Sequence, residues 1–240
     1  MCLDGNFEND KAMGLRLEQI VPWGRSLTEY VQMFDLTKPD LQGKILDCGG
    51  GPASFNAEMT HQGYEVISCD PIYQFSADEI AQRIDQTYGI ILEKIEAVRE
   101  KFVWTTLRSP EHMGETRMAS MQQFLADFPL GLQHGRYRVE ALPTLPFESK
   151  QFDLALCSHL LFLYSDQLSL EFHLASILEM CRVATEVRIF PLLLNMTCEV
   201  SPFVEPIVEA LSDRGYSAKI KTVSYEFQRG GNKLLQVIAP

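Results

Sequence analysis

The sequence predicts a doubly wound α/β fold: a mostly parallel seven-stranded sheet with an antiparallel C-terminal hairpin and a helical insertion after the second strand. Three observations carry this reading. Lys44 to Cys48 is a short apolar run that enters three glycines, and a helical pattern and a second apolar run ending in Asp70 follow it; strand, tight turn, helix, strand is a βαβ unit. Further short apolar runs alternate with helical spacing later in the chain, as parallel sheets require. The last two runs are joined only by Gln228 to Asn232, a link too short for anything but an antiparallel pair.

A length of 240 residues suits one well-buried core, so residues 1–240 are read as a single domain. Hydrophobic residues at 46% and charged residues at 22% are the balance of a soluble globular protein. A formal charge of -11 opposes binding to a phosphate backbone, and no nucleic-acid partner is expected. The first thirty residues hold no apolar core of signal-peptide length, and no run approaches the roughly 20 apolar residues of a membrane span. A cytoplasmic protein without membrane contact is therefore expected. The six cysteines, Cys2, Cys48, Cys69, Cys157, Cys181 and Cys198, form no C-x-x-C pair, so they read as buried free thiols and no metal is expected.

The elements follow in order. Ser26 and Glu29 form a capping box ahead of a helix from Leu27 to Phe34. Gly43 breaks the chain before the first strand, and Phe55 and Met59 carry a helix that stops at Gln62-Gly63. Glu65 to Asp70 is the second strand. Tyr137 to Ala141, Phe152 to Cys157 and Val187 to Phe190 are the next three, with a helix from about Leu168 to Cys181 between the last two. Asp166 reads as the start or cap of that helix. Ala218 to Phe227 and Lys233 to Ala239 form the closing hairpin.

The segment from about 73 to 135 is far longer than the usual single-helix connection. Ser76 and Glu79 form a second capping box, followed by Ile80, Ile84, Tyr88, Ile91, Ile95, Val98 and Phe102 at steps of three and four. Ser109 and Pro110 open another helix with Met113, Met121, Phe124, Leu125 and Phe128 on one side. The pair reads as a cap over the acceptor, with Trp104, Arg108, His112 and Arg117 at its bend as acceptor contacts; the alternative is a stripe buried against the sheet or in a homodimer.

The chemistry centres on Asp47-Cys48-Gly49-Gly50-Gly51-Pro52 directly after a strand. Glycines let the backbone approach a ligand, and the next helix offers unpaired N–H groups. Asp70, at the end of the second strand, is placed to accept both hydroxyls of a ribose. Together they indicate an adenosine-bearing cofactor. Dinucleotides fit this pattern less well, because Ser54 stands where Gly or Ala is usual, and Asp47 would repel a pyrophosphate while attracting an ammonium or sulfonium.

On these residues, and on Leu145-Pro146-Phe147 with Phe152-Asp153-Leu154-Ala155-Leu156, the chain resembles the class I S-adenosylmethionine-dependent methyltransferases, in their small-molecule branch. The resemblance covers Ile45 to Asp70 and Tyr137 to Tyr164, with the hairpin in support, and its layout is similar to bacterial proteins of uncharacterised function. It implies S-adenosylmethionine as cofactor: Asp47, Gly49, Gly50 and Gly51 around the methionine part, Asp70 on the ribose, Pro71 and Ile72 against adenine, Glu140 and Ala141 near the adenine amine, and Ser158 and His159 facing the sulfonium. Three features depart from the family: a longer loop between Leu142 and Leu145, Ala184-Thr185-Glu186 in place of a glycine-rich turn, and the long insertion. The family's N/D-P-P-Y signature for methylating nitrogens is replaced by Cys157-Ser158-His159-Leu160.

Arg25 is a candidate for the methionine carboxylate, with Ser26 beside it. His159 is the candidate general base. Phe162 and Tyr164 read as either core or acceptor contacts, and Arg229 at the hairpin tip as a border of the acceptor pocket. The expected activity is methyl transfer to a small-molecule acceptor. The rival readings are a nucleotide-dependent oxidoreductase and a non-catalytic cofactor-binding or interaction domain.

Overall fold

The computed structural model describes residues 21–239. Ser26 caps α1 (Leu27–Phe34) in the expected box with Glu29, and a second box of Thr37 with Asp40 opens the short α2 (Lys38–Gln42). β1 (Ile45–Cys48), α3 (Phe55–His61) and β2 (Val66–Cys69) form the first βαβ unit. A 3-10 turn (Pro71–Gln74) leads into the insertion, which is α4 (Ala77–Ala97), a second 3-10 turn (Arg99–Lys101) and α5 (Pro110–Gln133). β3 (Tyr137–Arg138), β4 (Phe152–Ser158), α6 (Leu170–Val183), β5 (Ala184–Phe190), α7 (Val204–Ser212), β6 (Ser217–Thr222) and β7 (Lys233–Ile238) complete the chain.

The sheet has seven strands in the order β3-β2-β1-β4-β5-β7-β6. Pairs from β3 through β5 are parallel, with Ile45 opposite both Val66 and Leu154; β7 is antiparallel to β5 and β6. The strand order reverses between β1 and β4, and ligands of open α/β sheets bind at such a crevice. Alternate residues feed opposite faces. Leu46, Cys48, Ala155 and Cys157 pack with α6 and α7, while Ile45, Leu154 and Leu156 pack with Tyr30, Met33 and Phe34 of α1 and Phe55 and Met59 of α3.

Several boundaries differ from expectation, each because of a competing partner. β3 stops at Arg138 rather than Ala141, because Ala141 pairs with Thr144 in a turn around Pro143 and draws the chain off the sheet. β6 stops at Thr222 rather than Phe227, because Gln228 bridges Phe102 and the Val103 N–H donates to the Phe227 carbonyl at 2.7 Å. Ser169, not Asp166, caps α6. Cys48, Cys69, Cys157 and Cys181 are buried free thiols, Cys198 is exposed, and Cys2 lies outside the described residues.

The insertion is two capped antiparallel helices. They approach at Gly114, where a Cβ would stand 2.5 Å from the Tyr88 hydroxyl. Met121, Phe124 and Phe128 of α5 pack on Tyr73 and Tyr137 at the sheet edge, with ring centroids 5.0–6.0 Å apart. Among the described residues no helix is long and apolar enough to cross a membrane.

Candidate functional site

The turn after β1 is held by the neighbouring strand: the Gly49 and Gly50 N–H groups donate to the Cys69 carbonyl at 2.8 and 3.3 Å. Gly49 and Gly51 have φ of 69° and 53°, a region that favours glycine. Gly50 is required for a different reason, since a Cβ there would stand 2.4 Å from Asp47 Oδ2.

Asp47 lies beneath this turn and does not line the cavity above it, contrary to the sequence expectation. The Tyr30 ring stacks on Phe55 at 4.1 Å, and its hydroxyl donates to Asp47 Oδ1 at 3.1 Å. Ser68 donates to Oδ2 at 3.0 Å. Burial pushes the Asp47 carboxyl up to about 7 against these two hydrogen bonds.

Asp70 does line the cavity. Its two oxygens accept from the Gly51 N–H at 2.9 Å and the Ile72 N–H at 2.8 Å, which joins the glycine turn to the 3-10 turn after β2. Burial raises this carboxyl to about 6, and the two N–H groups oppose the rise. Ile72 is on the wall and Pro71 is not.

Ser158 and His159 stand at the end of β4, on the same wall. The His159 backbone is left-handed, with φ 56°. Its N–H donates to the Phe190 carbonyl at 2.7 Å, and its Nδ1 lies 2.8 Å from Ser158 Oγ. Burial, then the charges of Arg25 and Arg117, push the imidazole well below its ordinary value, so it is neutral at pH 7. Arg25 is on the wall; it donates to the Trp23 carbonyl at 3.2 Å, and its buried Nε has no hydrogen-bond partner among the described residues.

The cavity they share has a volume of about 860 Å³. The segments after β1, β2, β4 and β5 meet there with Tyr225, Phe227, Gln228 and Gly231 of the β6–β7 link. The rest of the wall comes from α4, through Arg83, Thr87, Ile90, Ile91, Lys94 and Ile95, from Phe102, and from the N-terminal segment with Trp23, Arg25 and Tyr30. Tyr164 is on the wall, whereas Phe162 is core.

Other expected residues lie elsewhere. Ser26 is committed to the cap of α1. Glu140 faces Arg138 at 3.8 Å and, with Ala141, lies off the wall because the chain leaves the sheet before reaching them. Trp104 packs on Phe102 and Phe227, and Arg108 lies 3.3 Å from His112 on the exposed surface. Arg117 is fully buried against Glu29 and Tyr225. Arg229 is exposed and donates to the Glu100 carbonyl at 2.6 Å, so the hairpin tip borders the cavity through Gln228 and Gly231 instead. Sequence reasoning passed over Tyr30, Tyr225 and the α4 face. The α4 face had a signal, because Arg83, Thr87, Ile91 and Lys94 recur at helical spacing.

No family model matches the chain. Its fold is similar to that of the magnesium protoporphyrin IX methyltransferase of Synechocystis PCC 6803, crystallised with bound SAM, at 15% identity and a TM-score of 0.47 over 89% of this chain and 78% of that one. It is also similar to a SAM-dependent methyltransferase of Aquifex aeolicus, at 14% identity and a TM-score of 0.40 over 88% and 94%. In sequence it is 33% identical to the uncharacterized protein MJ0045 of Methanocaldococcus jannaschii over 222 residues, which are 92% of this chain and 97% of that protein. The chain belongs to the same family as this M. jannaschii protein.

Proposed function

We propose that the chain transfers a methyl group from S-adenosylmethionine to a small-molecule acceptor. The observation that carries this reading is Asp70: a half-buried carboxylate at the end of β2, fixed by two backbone N–H groups and bordering a cavity shared with the glycine turn. Each oxygen has accepted one hydrogen bond and retains capacity for a second, the requirement for holding a ribose diol.

Gly49 to Gly51 admit the methionine part without a clashing Cβ, and Ile72 supplies an apolar surface for adenine. The Arg25 guanidinium, its Nε without a partner among the described residues, fits the methionine carboxylate. Asp47 acts through the turn as a buried acid and not as a direct ligand. When bound, S-adenosylmethionine supplies an electrophilic methyl group on a sulfonium. The protein then has to orient the acceptor and exclude water. Its neutral His159 can take a proton from a hydroxyl or amine acceptor. The insertion serves this site through α4, which closes one side of the cavity. A formal charge of -11 supports a small molecule over nucleic acid.

Calorimetry with S-adenosylmethionine, S-adenosylhomocysteine, NAD and NADP tests the reading. Micromolar binding of the first two and none of the dinucleotides is expected. Tight NAD binding with no heat from either sulfur compound refutes it.

A further inference from the structure

One face of α4 forms one side of the cavity. Thr87, Ile90, Ile91, Lys94 and Ile95 share that face and line the cavity. Lys94 is the charged group within an otherwise apolar stretch: its neighbours three and four positions away are Ile90, Ile91, Ala97 and Val98. No carboxylate is in reach along the helix, and none of the ion pairs among the described residues includes Lys94. It is solvent-exposed, as is Ile90 at 52%, which places both at the mouth. Phe102 and Phe227, stacked at 4.7 Å, also line the cavity.

Setting aside Arg83, which has an interaction of its own, the wall carries two cations, Arg25 and Lys94, against one carboxylate, Asp70. That is the reverse of the whole chain, which has 21 basic and 32 acidic residues. Asp70 is occupied by two backbone N–H groups and, in the reading above, by ribose. Arg25, on the cavity wall, acts on His159 with the same sign. An ammonium-bearing acceptor would enter against this field, and an anion would be drawn in. At about 860 Å³, the cavity is near the upper end of the roughly 300–1,000 Å³ of small-molecule sites. It therefore has room for a second molecule beside a nucleoside.

We infer that the acceptor is a small anionic molecule with an apolar body, its negative group at Lys94 and its body along Ile91, Ile95, Phe102 and Phe227. This rests on the methyl-transfer reading, in which the nucleoside fills the other half of the cavity. A charged end at the exposed mouth and an apolar end inside satisfies both without burying an unpaired charge.

The test uses protein saturated with S-adenosylhomocysteine and two fluorescent probes with the same rings, 8-anilinonaphthalene-1-sulfonate and the neutral N-phenyl-1-naphthylamine. The sulfonate is expected to bind at one site per chain about tenfold more tightly, the order of one ion pair in a partly apolar setting. Decanoate and 1-naphthoate should displace it, and decylamine should not. Lys94→Glu and Ile90→Glu, both at exposed positions that spare the core, should each remove the preference. Equal binding of the neutral probe, displacement by decylamine, or a preference untouched in both variants overturns the inference. The two readings fail separately. S-adenosylhomocysteine heat without anion preference sinks this inference alone, and an anion preference without S-adenosylhomocysteine heat sinks methyl transfer instead.

Discussion

Arg117, in the middle of α5, is fully buried and makes its ion pair with Glu29 in the first turn of α1. Tyr225 joins them, donating to Glu29 at 3.0 Å and accepting from Arg117 at 3.2 Å. Burial alone would disfavour both charges, but each holds the other ionised. The cluster ties together the N-terminal helix, the insertion and the β6–β7 link. Glu29→Gln should therefore destabilise the fold by about 3–5 kcal/mol, because it leaves a buried guanidinium uncompensated. Combining it with Arg117→Met should recover part of that loss in urea denaturation. A double variant weaker than the single one would refute this account.

The buried Asp47 gives the protein a pH signature. Its folded value of about 7 lies above the unfolded value near 4. Such a group contributes stability that is fully present below about 4 and is lost as pH rises to about 7. The ligand-free protein should lose stability between pH 5 and pH 8 on this account, and Asp47→Asn should flatten that slope. Denaturation midpoints measured across this range decide it; an unchanged slope in Asp47→Asn assigns the titration to another group.

Asp70 predicts the pH dependence of cofactor binding. To accept two hydroxyls it must be ionised, and its carboxyl sits at about 6. Affinity for S-adenosylmethionine should hold from pH 8 to about 7 and weaken as pH falls through 6. Asp70→Ala should cost roughly 1.5–3 kcal/mol of binding, the order of hydrogen bonds to a charged group, and should remove the acid-side weakening. Calorimetry that finds the weakening intact in the variant would assign it elsewhere.

The sheet was legible in the sequence because its buried strands are short apolar runs bounded by glycine or an acid, and local pattern suffices to find them. Ser26 with Glu29 and Ser76 with Glu79 were legible for the same reason, since a capping box is local. What could not be read was partner choice across the chain. Glu29 reads fully as a cap, and nothing in its neighbourhood announces Arg117, 88 positions on. Arg117 itself was expected as an acceptor contact at the bend of the insertion. Asp47 and Asp70 both stand near the ends of strands, and distant partners separate them: Tyr30 and Ser68 hold Asp47 beneath the turn, while Asp70 reaches the cavity. β6 ends early for a related reason: Phe102, from the distant insertion, competes for the segment the hairpin pattern claimed.

That competition yields the last prediction. Phe102 pairs with Gln228 in an isolated antiparallel bridge, flanked by Val103 N–H to the Phe227 carbonyl at 2.7 Å and Arg229 N–H to the Lys101 carbonyl at 2.8 Å. Phe102 is 4% exposed and stacks on Phe227, with Trp104 set edge-on to the Phe227 ring at 5.4 Å. Two backbone hydrogen bonds and one aromatic cluster thus join the insertion to the β6–β7 link, apart from the sheet ladder. Removing the Phe102 ring should release both sides at once, since neither backbone bond retains a packed partner. In Phe102→Ala, hydrogen exchange should speed up together at the Val103 and Arg229 amides by at least about tenfold, equivalent to roughly 1.4 kcal/mol of local stability. The central amides of β4, such as Ala155 and Leu156, should slow or hasten only with global stability. Acceleration at one of the two amides without the other would show that insertion and link open independently, and would refute the closed bridge as a single unit.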